Sequence, residues 1–283
     1  MSNRIIINNL KNKKMKTFRF IGMALFAVLM CVNLASCSSS DDPTDESPQY
    51  ELVTSGKKLV KIEFTLSDPT NDFIEVWDFN YDSEGKLIEA IFTDSYENQT
   101  TTRYTWNNSV IDVHEKRDVQ GGYTNDTEYE YTYNLKNGLV QNLHDIKYDD
   151  TNRPKEIMGS TIMWDEDKLT RISTPYQVSE NRTAYVSTQY YYAENGTTCN
   201  GYYPFIPLGP VNKEEDFLFI IHPELVGMRS TQIPVSFLFS DGTSNTMTQG
   251  TYTNRLDDEG YISEFRKKEK GDWCEYIYTM TWK

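Results

Sequence analysis

Three histidines are the side chains of this sequence best suited to acid–base or metal chemistry, and none lies in a pattern that such chemistry requires. His114, His144 and His222 are widely separated, and no HExxH, GxSxG, CxxC or glycine-rich phosphate loop occurs. His222 precedes Pro223, where we expect a structural role, and the other two lie among charged residues in strand-like segments. We therefore predict that the chain is not an enzyme and carries no catalytic residue, metal or cofactor.

Clustered carboxylates are a second source of chemistry. They occur at Asp149-Asp150, at residues 165–167 and at residues 257–259. A glycosidase needs two carboxylates that face each other, which sequence spacing does not specify, and none of the clusters has the spacing of a calcium-binding EF-hand loop. Each falls on a predicted hairpin turn, where Asp accepts hydrogen bonds from its own backbone. We predict a role in turns and solubility.

Aromatic residues are in surplus, with 20 Tyr and 5 Trp. One cluster combines the consecutive Tyr190, Tyr191 and Tyr192 with residues at the start of a proline-rich stretch. That cluster is the predicted ligand-binding site: Tyr190, Tyr191, Tyr192, Tyr202, Tyr203 and Phe205. Flat rings on a rigid sheet can hold sugar rings, but tyrosines also suit strands and fill the interiors of barrels, and both interpretations stay open.

The first 36 residues have the features of a secretory signal. Lys16 and Arg19 precede the apolar run 20–32, and the small residues Ala35 and Ser36 follow it. The apolar run is too short for a stable membrane span. Met15 fits the true start better than Met1, because residues 1–14 add nothing that a signal needs.

The sequence Leu34-Ala35-Ser36-Cys37 resembles a bacterial lipobox. The resemblance implies cleavage between Ser36 and Cys37 and acylation of Cys37, whose acyl chains anchor the protein in the outer membrane. Residues 37–50 form an acidic, Ser-rich tether, and residues 38–42 resemble the export signal of surface-exposed Bacteroidetes lipoproteins. A solvated linker explains the same residues, so surface exposure is expected while the periplasmic face stays open.

The charge distribution argues against nucleic acid as a partner. The first 36 residues carry six basic residues and no acid, and the remaining 22 basic and 42 acidic residues give the rest of the chain a formal charge of −20. Such a surface repels phosphate backbones. Cys199 and Cys274 are the cysteines of the predicted folded part, and an exported compartment permits a disulfide between them. Because they have no spacing motif, we expect them to be buried small residues.

From residue 51 to residue 283 the sequence predicts one all-β domain. Apolar residues alternate with polar ones in segments such as 60–66 and 276–282, and turn residues recur every 14 residues on average between Gly56 and Gly196. Asn137-Gly138 and Asn195-Gly196 are strong hairpin signals. We predict 13 to 15 strands in a long antiparallel β-meander that closes into a barrel or a deep half-barrel.

An insertion with five prolines, residues 201–234, interrupts the meander. It predicts one short helix near residues 212–226, capped by Asn212. A similar sequence motif, typical of a hairpin, begins at Phe79, Tyr131, Ile146, Ile162 and Asn254. It resembles the YD-type hairpin repeat of secreted bacterial proteins.

The whole pattern resembles a Bacteroidetes outer-membrane lipoprotein family described as a domain of unknown function with a porin-like fold. The resemblance covers residues 52–283 and depends on the lipobox, the hairpins and the segment from His222 to Pro234. It implies a fold and a location, and it carries no catalytic residues.

Three functions are compatible with these observations. The first is a lipid-anchored, non-enzymatic module at the cell surface that binds a glycan, another polymer or a protein. The second is a periplasmic carrier of a lipid or hydrophobic ligand, with residues 217–221 closing an apolar cavity. The third is an integral outer-membrane barrel, against which the charged outward faces argue.

Overall fold

The structure is a computed structural model that describes residues 56–67, 73–119, 127–143, 145–157, 159–179, 182–202, 217–244 and 246–283. The predicted signal, the cleavage point at Ser36 and Cys37, and the tether lie outside these residues, as do His144 and the helix cap at Asn212.

The described chain contains sixteen strands, one short α-helix and one 3₁₀ helix. The strands are β1 (Leu59–Leu66), β2 (Ile74–Tyr81), β3 (Leu87–Thr93), β4 (Gln99–Asn107), β5 (Val110–Asp118), β6 (Thr127–Lys136), β7 (Leu139–Val140), β8 (Lys147–Tyr148), β9 (Pro154–Ile157), β10 (Ser160–Asp165), β11 (Lys168–Ser179), β12 (Arg182–Tyr192), β13 (Pro234–Asp241), β14 (Thr246–Leu256), β15 (Ile262–Glu269) and β16 (Glu275–Trp282). The helices lie between β12 and β13: α1 spans Phe217–Ile221, and the 3₁₀ helix spans Pro223–Val226.

All sixteen strands belong to one antiparallel sheet. Strands that follow one another in the chain pair with each other, except β7 and β8, which form the two edges of the sheet. In addition, β1 pairs with β16. The predicted all-β meander is confirmed. The sheet is barrel-like, but hydrogen bonds between the described strands do not close it. Each edge strand has only two residues, and β7 pairs only with Leu135 and Lys136 of the ten-residue β6.

One hydrophobic core fills the concave side of the sheet. Alternate residues of the strands point into it, as in β1, where Ile62 and Phe64 are buried. The ring of Phe64 stacks on that of Tyr278 with centroids 4.7 Å apart, which joins the first strand to the last. Buried residues from both halves of the sheet belong to this single cluster, and the sheet therefore curls around it.

The insertion packs into this core. In α1, Leu218 and Phe219 are fully buried, and the Phe219 ring lies 5.0 Å from the ring of Tyr133 on β6. After the 3₁₀ helix, Gly227 lies against the backbone of Asn152 in the turn between β8 and β9. The insertion thus contacts strands on both sides of the opening between the two edges.

The two Asn-Gly signals have different outcomes. Asn137 and Gly138 have φ values of 53° and 75° and join the paired strands β6 and β7, as predicted. The expected hairpin at Asn195-Gly196 is wrong, because β12 pairs with β13, which begins only at Pro234. The insertion occupies the place of that turn.

Four hairpin turns share one construction. An Asp carboxylate accepts hydrogen bonds of 2.8–3.0 Å from the backbone N–H groups two and four residues later. The residue three positions after each Asp has a positive φ. The four aspartates are Asp82, Asp94, Asp149 and Asp257. Three of these turns lie in the repeated stretches, so the acidic clusters at 149–150 and 257–259 serve turns.

Tryptophan side chains hydrogen-bond to the strands that follow three of these turns. The indole N–H groups of Trp106, Trp164 and Trp282 donate to backbone carbonyls on the preceding strand. Their acceptors are Leu87, Pro154 and Ile262, and each lies five residues after one of the turn aspartates. A recurring turn and a recurring indole therefore fix the register of three separate hairpins.

The turn aspartates predict a loss of stability in acid. Burial works against the charged form of Asp149, but hydrogen bonds from the backbone of Arg153 and from Thr151 outweigh it and lower its pKa. A lowered pKa in the folded state stabilises the protein above the unfolded value of about 3.9, and this contribution is lost as the pH falls through the folded value. Asp149→Asn should thus reduce the urea midpoint at pH 7 and have a smaller effect near pH 3.

The control for that measurement is Asp150→Asn, because the Asp150 side chain has no hydrogen bond among the described residues. We expect it to change the midpoint little at either pH. An Asp149→Asn effect of the same size at both pH values would contradict the argument.

Candidate functional site

The predicted aromatic cluster does not present one exposed face. Tyr203 and Phe205 lie outside the described residues. Tyr190 and Tyr202 are only 4% and 6% exposed, and Tyr192 is half-buried, with its hydroxyl donating to the carbonyl of Leu169. Tyr191 is 41% exposed. Within the described part, Tyr191 is therefore the member of the cluster best placed to contact a ligand.

Strand alternation explains this division. Tyr190 pairs with Phe237 on β13, and both point into the core. Burial raises the pKa of Tyr190, which keeps its phenol protonated. Tyr191, one residue later, must point to the opposite, outer face. Its partner across the sheet is Ser236, which pairs in turn with Thr251, and Thr251 pairs with Lys268.

Two rows of outward side chains therefore run across the strands. The tyrosine row consists of Tyr191, Ser236, Thr251 and Lys268. The glutamine row lies beside it and consists of Arg171, Gln189, Leu238, Gln249 and Lys270. These rows bring together residues that are up to 99 positions apart in the sequence.

A cleft of about 600 Å³ lies along these rows. Its lining includes Tyr191, Ser236, Leu238, Gln249, Thr251, Lys268 and Lys270, with Glu269 at the end of β15 and Asp272 in the turn that follows. A smaller cleft of about 340 Å³ shares Leu238, Gln249 and Lys270 with it. Both volumes fall in or near the range of small-molecule sites.

The acidic side chains of the cleft already have partners within the protein, whereas its lysines have no carboxylate partner in the described part of the chain. Glu269 forms an ion pair of 2.8 Å with Lys267, and the Asp272 carboxylate accepts a hydrogen bond from the Cys274 backbone. Lys268 and Lys270 are exposed and have no carboxylate partner in the described part of the chain. Two cations are thus available to a ligand, whereas the two anions already have partners.

The inner face of the sheet makes the cleft floor rigid. Gly250, in the middle of β14, has no side chain, and the Phe237 ring occupies the space where one would lie. The rings of Phe237, Tyr252, Phe265 and Tyr278 follow one another at centroid distances of 5.0, 5.2 and 5.7 Å. Lys267 lies 4.9 Å from the centre of the Phe237 ring. A ligand on the outer face would therefore meet a preformed surface.

His222 and Glu224 form the most enzyme-like pair of the structure. His222 Nδ1 lies 3.2 Å from Glu224 Oε1, and His222 Nε2 accepts a hydrogen bond of 3.2 Å from the Leu87 N–H. Both side chains are buried. Because both ring nitrogens are engaged, the pair connects the insertion to β3 and leaves no nitrogen for a substrate.

The cysteines and the acidic groups suggest no further chemistry. Cys199 and Cys274 are buried, as predicted, and burial raises the pKa of Cys199 to about 12, so its thiol is protonated at neutral pH. In the described residues, no group of three or more His, Cys, Asp or Glu side chains converges as a metal site would require. Helices in this part of the chain are too short or too polar to cross a membrane.

Sequence reasoning missed most of the cleft. It selected Tyr191 but neither Gln249 nor the two lysines of the stretch "EFRKKEK". Alternation in that stretch places Lys268 and Lys270 on the face opposite Phe265. The other residues become neighbours through the pairing of β12, β13, β14 and β15, which no short sequence pattern specifies.

Comparisons with known proteins are sparse. No family model matches the chain, and no curated protein matches it. It is similar to a solved structure described as a porin-like protein from Bacteroides vulgatus ATCC 8482, with 13% identity and a TM-score of 0.34 over 81% of this chain and 99% of that chain. A second, a porin-like protein from Bacteroides uniformis ATCC 8492, has 14% identity and a TM-score of 0.41 over 79% of this chain and 98% of that one.

Proposed function

We propose that this chain is a non-enzymatic glycan-binding module, held at the bacterial outer membrane by acyl chains on Cys37 and exposed at the cell surface. The observation that carries the proposal is the cleft on the outer face of the sheet, where an exposed tyrosine ring lies beside amide, hydroxyl and ammonium groups. The proposal places the chain with the outer-membrane lipoproteins that its sequence resembles.

The cleft suits a sugar for two reasons. The Tyr191 ring offers a flat apolar face on which the C–H face of a pyranose can stack. Around it, Ser236, Gln249 and Thr251 offer both donors and acceptors of hydrogen bonds, which the many hydroxyl groups of a sugar require. A lipid or another purely hydrophobic ligand would leave these polar groups without partners, which is costly.

The sequence supports the location. The lipobox at residues 34–37 and the signal before it direct a chain to acylation, and the polar tether of residues 37–50 separates the anchor from the sheet. Several acyl chains on one cysteine form a durable anchor, because each buried CH₂ contributes about 0.8 kcal/mol.

The binding experiment compares two tyrosines on one strand. Tyr191→Ala should weaken binding to a glycan retained by the wild-type chain by about two- to tenfold, because stacking on an aromatic ring contributes about 0.5–1.5 kcal/mol beyond the buried area. Tyr185 is the control: it is 54% exposed on β12 and lies outside the cleft. Affinity electrophoresis against a panel of polysaccharides would measure both. Equal losses in the two variants, or no glycan bound at all, would refute the proposal.

The anchor is tested separately. The wild-type chain, expressed in a bacterium that processes lipoproteins, should incorporate labelled palmitate and sediment with membranes. Cys37→Ser should do neither, whereas Cys31→Ser should behave like the wild type, because residue 31 lies within the predicted signal. Membrane association of Cys37→Ser without label, in a chain from which residues 1–36 have been removed, would indicate that strands, not acyl chains, hold the protein.

A further inference from the structure

The outer surface around the cleft differs in charge from the rest of this acidic chain. The tyrosine row and the glutamine row contain Arg171, Lys268 and Lys270, and on β16 the tyrosine row continues to one carboxylate, that of Glu275 opposite Lys268. By contrast, the outward positions of β5 and β6 include Asp112, Glu128 and Glu130. The basic residues of the rows therefore form a local positive surface on a protein whose formal net charge is −14.

Ion pairs do not neutralise this surface. Glu264 and Glu275, on β15 and β16, both pair with Arg266, at 2.8 and 3.3 Å. Within the described residues, Lys268 and Lys270 lack a carboxylate partner, and Arg171 donates to the hydroxyl of Ser187. Surface lysines that ion pairs leave available can pair with the anionic groups of a ligand.

The rows are also extended. The glutamine row crosses β11, β12, β13 and β14 and ends at Lys270, directly after β15. Neighbouring strands lie about 4.8 Å apart, so the row spans roughly 20 Å. The two clefts share Leu238, Gln249 and Lys270 of this row, and the smaller one extends along β14 to Met247. A surface of this length fits several sugar units of a chain better than a single sugar.

From these observations we infer that the cleft binds an acidic polysaccharide, which stacks one sugar on Tyr191 and pairs its carboxylate or sulfate groups with Lys268 and Lys270. This inference rests on the proposed function, and it adds the charge of the ligand and its polymeric nature. Gln249, which lines both clefts, hydrogen-bonds to its hydroxyl groups between the charged contacts.

The test compares two double variants of the full chain that change the net charge equally. Lys268→Gln with Lys270→Gln removes the cleft cations. Lys136→Gln with Lys155→Gln is the control, because these lysines are exposed, lie on β6 and β9, and have no ion pair in the described part. The probes are polygalacturonate, dextran sulfate, neutral dextran and a single-stranded poly(dT) of similar length.

We expect the wild type and the control to bind polygalacturonate or dextran sulfate, and the cleft variant to bind it about tenfold or more weakly, because hydrogen bonds to charged groups are strong. Binding should weaken between about 0.1 M and 1 M salt, where the Debye length falls from ~10 Å to ~3 Å. Tyr191→Ala should weaken the same binding.

The other outcomes separate this inference from the proposed function. Binding of neutral dextran that depends on Tyr191 and not on the lysines would overturn the acidic ligand and keep the glycan site. Equal losses in the two double variants, or binding of poly(dT) as tight as that of the anionic glycans, would reduce the effect to net charge and overturn the inference. Failure to bind any of the glycans would overturn both proposals.

Discussion

Replacing Gly227 by alanine is expected to destabilise the protein by about 2–5 kcal/mol. Gly227 ends the 3₁₀ helix with φ = 70°, and its N–H donates to the carbonyl of Glu224. An L-residue loses about 1–2 kcal/mol in this left-handed conformation. A Cβ at residue 227 would also lie 2.3 Å from the carbonyl oxygen of Asn152. Overpacking of this kind typically costs a further 1–3 kcal/mol.

Gly271 provides a control that separates the cost of the left-handed backbone conformation from the cost of the steric overlap. It also has a positive φ, of 87°, but a Cβ there would meet nothing within 4 Å. Gly271→Ala should therefore cost only about 1–2 kcal/mol, and Gly271→Asn less, since Asn tolerates the left-handed conformation. Gly227→Asn should be no better than Gly227→Ala. Urea midpoints with unchanged slopes would measure all four variants, and equal costs at residues 227 and 271 would disprove the contact with the turn of Asn152.

Much of the fold follows from local patterns. Alternation identified the long strands, because one face of each packs and the other is solvated. The sixteen strands exceed the predicted 13 to 15 partly because β7 and β8 have only two residues each, which is too short for a period of two to be detected. The YD-type repeat stays a resemblance, although three of its stretches share a turn built on an Asp carboxylate.

The remaining features of the fold could not be predicted because they depend on pairing between strands that are far apart in the sequence. The pairing of β1 with β16 joins residues more than 200 positions apart, and nothing near either strand specifies it. The same holds for the cleft, where the side chains are ordinary surface residues in their own strands. Alternation shows that one of three consecutive tyrosines faces away from the others. Which one contacts solvent depends on the core that Phe237 and Tyr252 form beneath Tyr190.

The insertion is either a structural part of the core or a lid that can open over a cavity. Substituting Phe219 distinguishes these two roles. Its side chain is fully buried and contacts Tyr133 on β6, edge to face, at 5.0 Å. Truncating a buried Phe to Ala typically costs about 3–5 kcal/mol, because the apolar contacts are lost and a cavity remains. Phe219→Ala should therefore lower the urea midpoint of the whole chain strongly, with the circular dichroism and tryptophan fluorescence transitions still coincident.

Ile220 is the matched control within the same helix, since it is only half-buried at the edge of the core. Ile220→Ala should cost about 1 kcal/mol, in the middle of the range for substitutions at ordinary sites.

The carrier hypothesis requires the opposite result at Phe219. A lid over an apolar cavity opens with few core contacts, so Phe219→Ala would leave the midpoint nearly unchanged and would increase the uptake of a hydrophobic dye. A large loss of stability without added dye binding would identify the insertion as part of the core, and the outer cleft would then be the ligand site that the described residues favour.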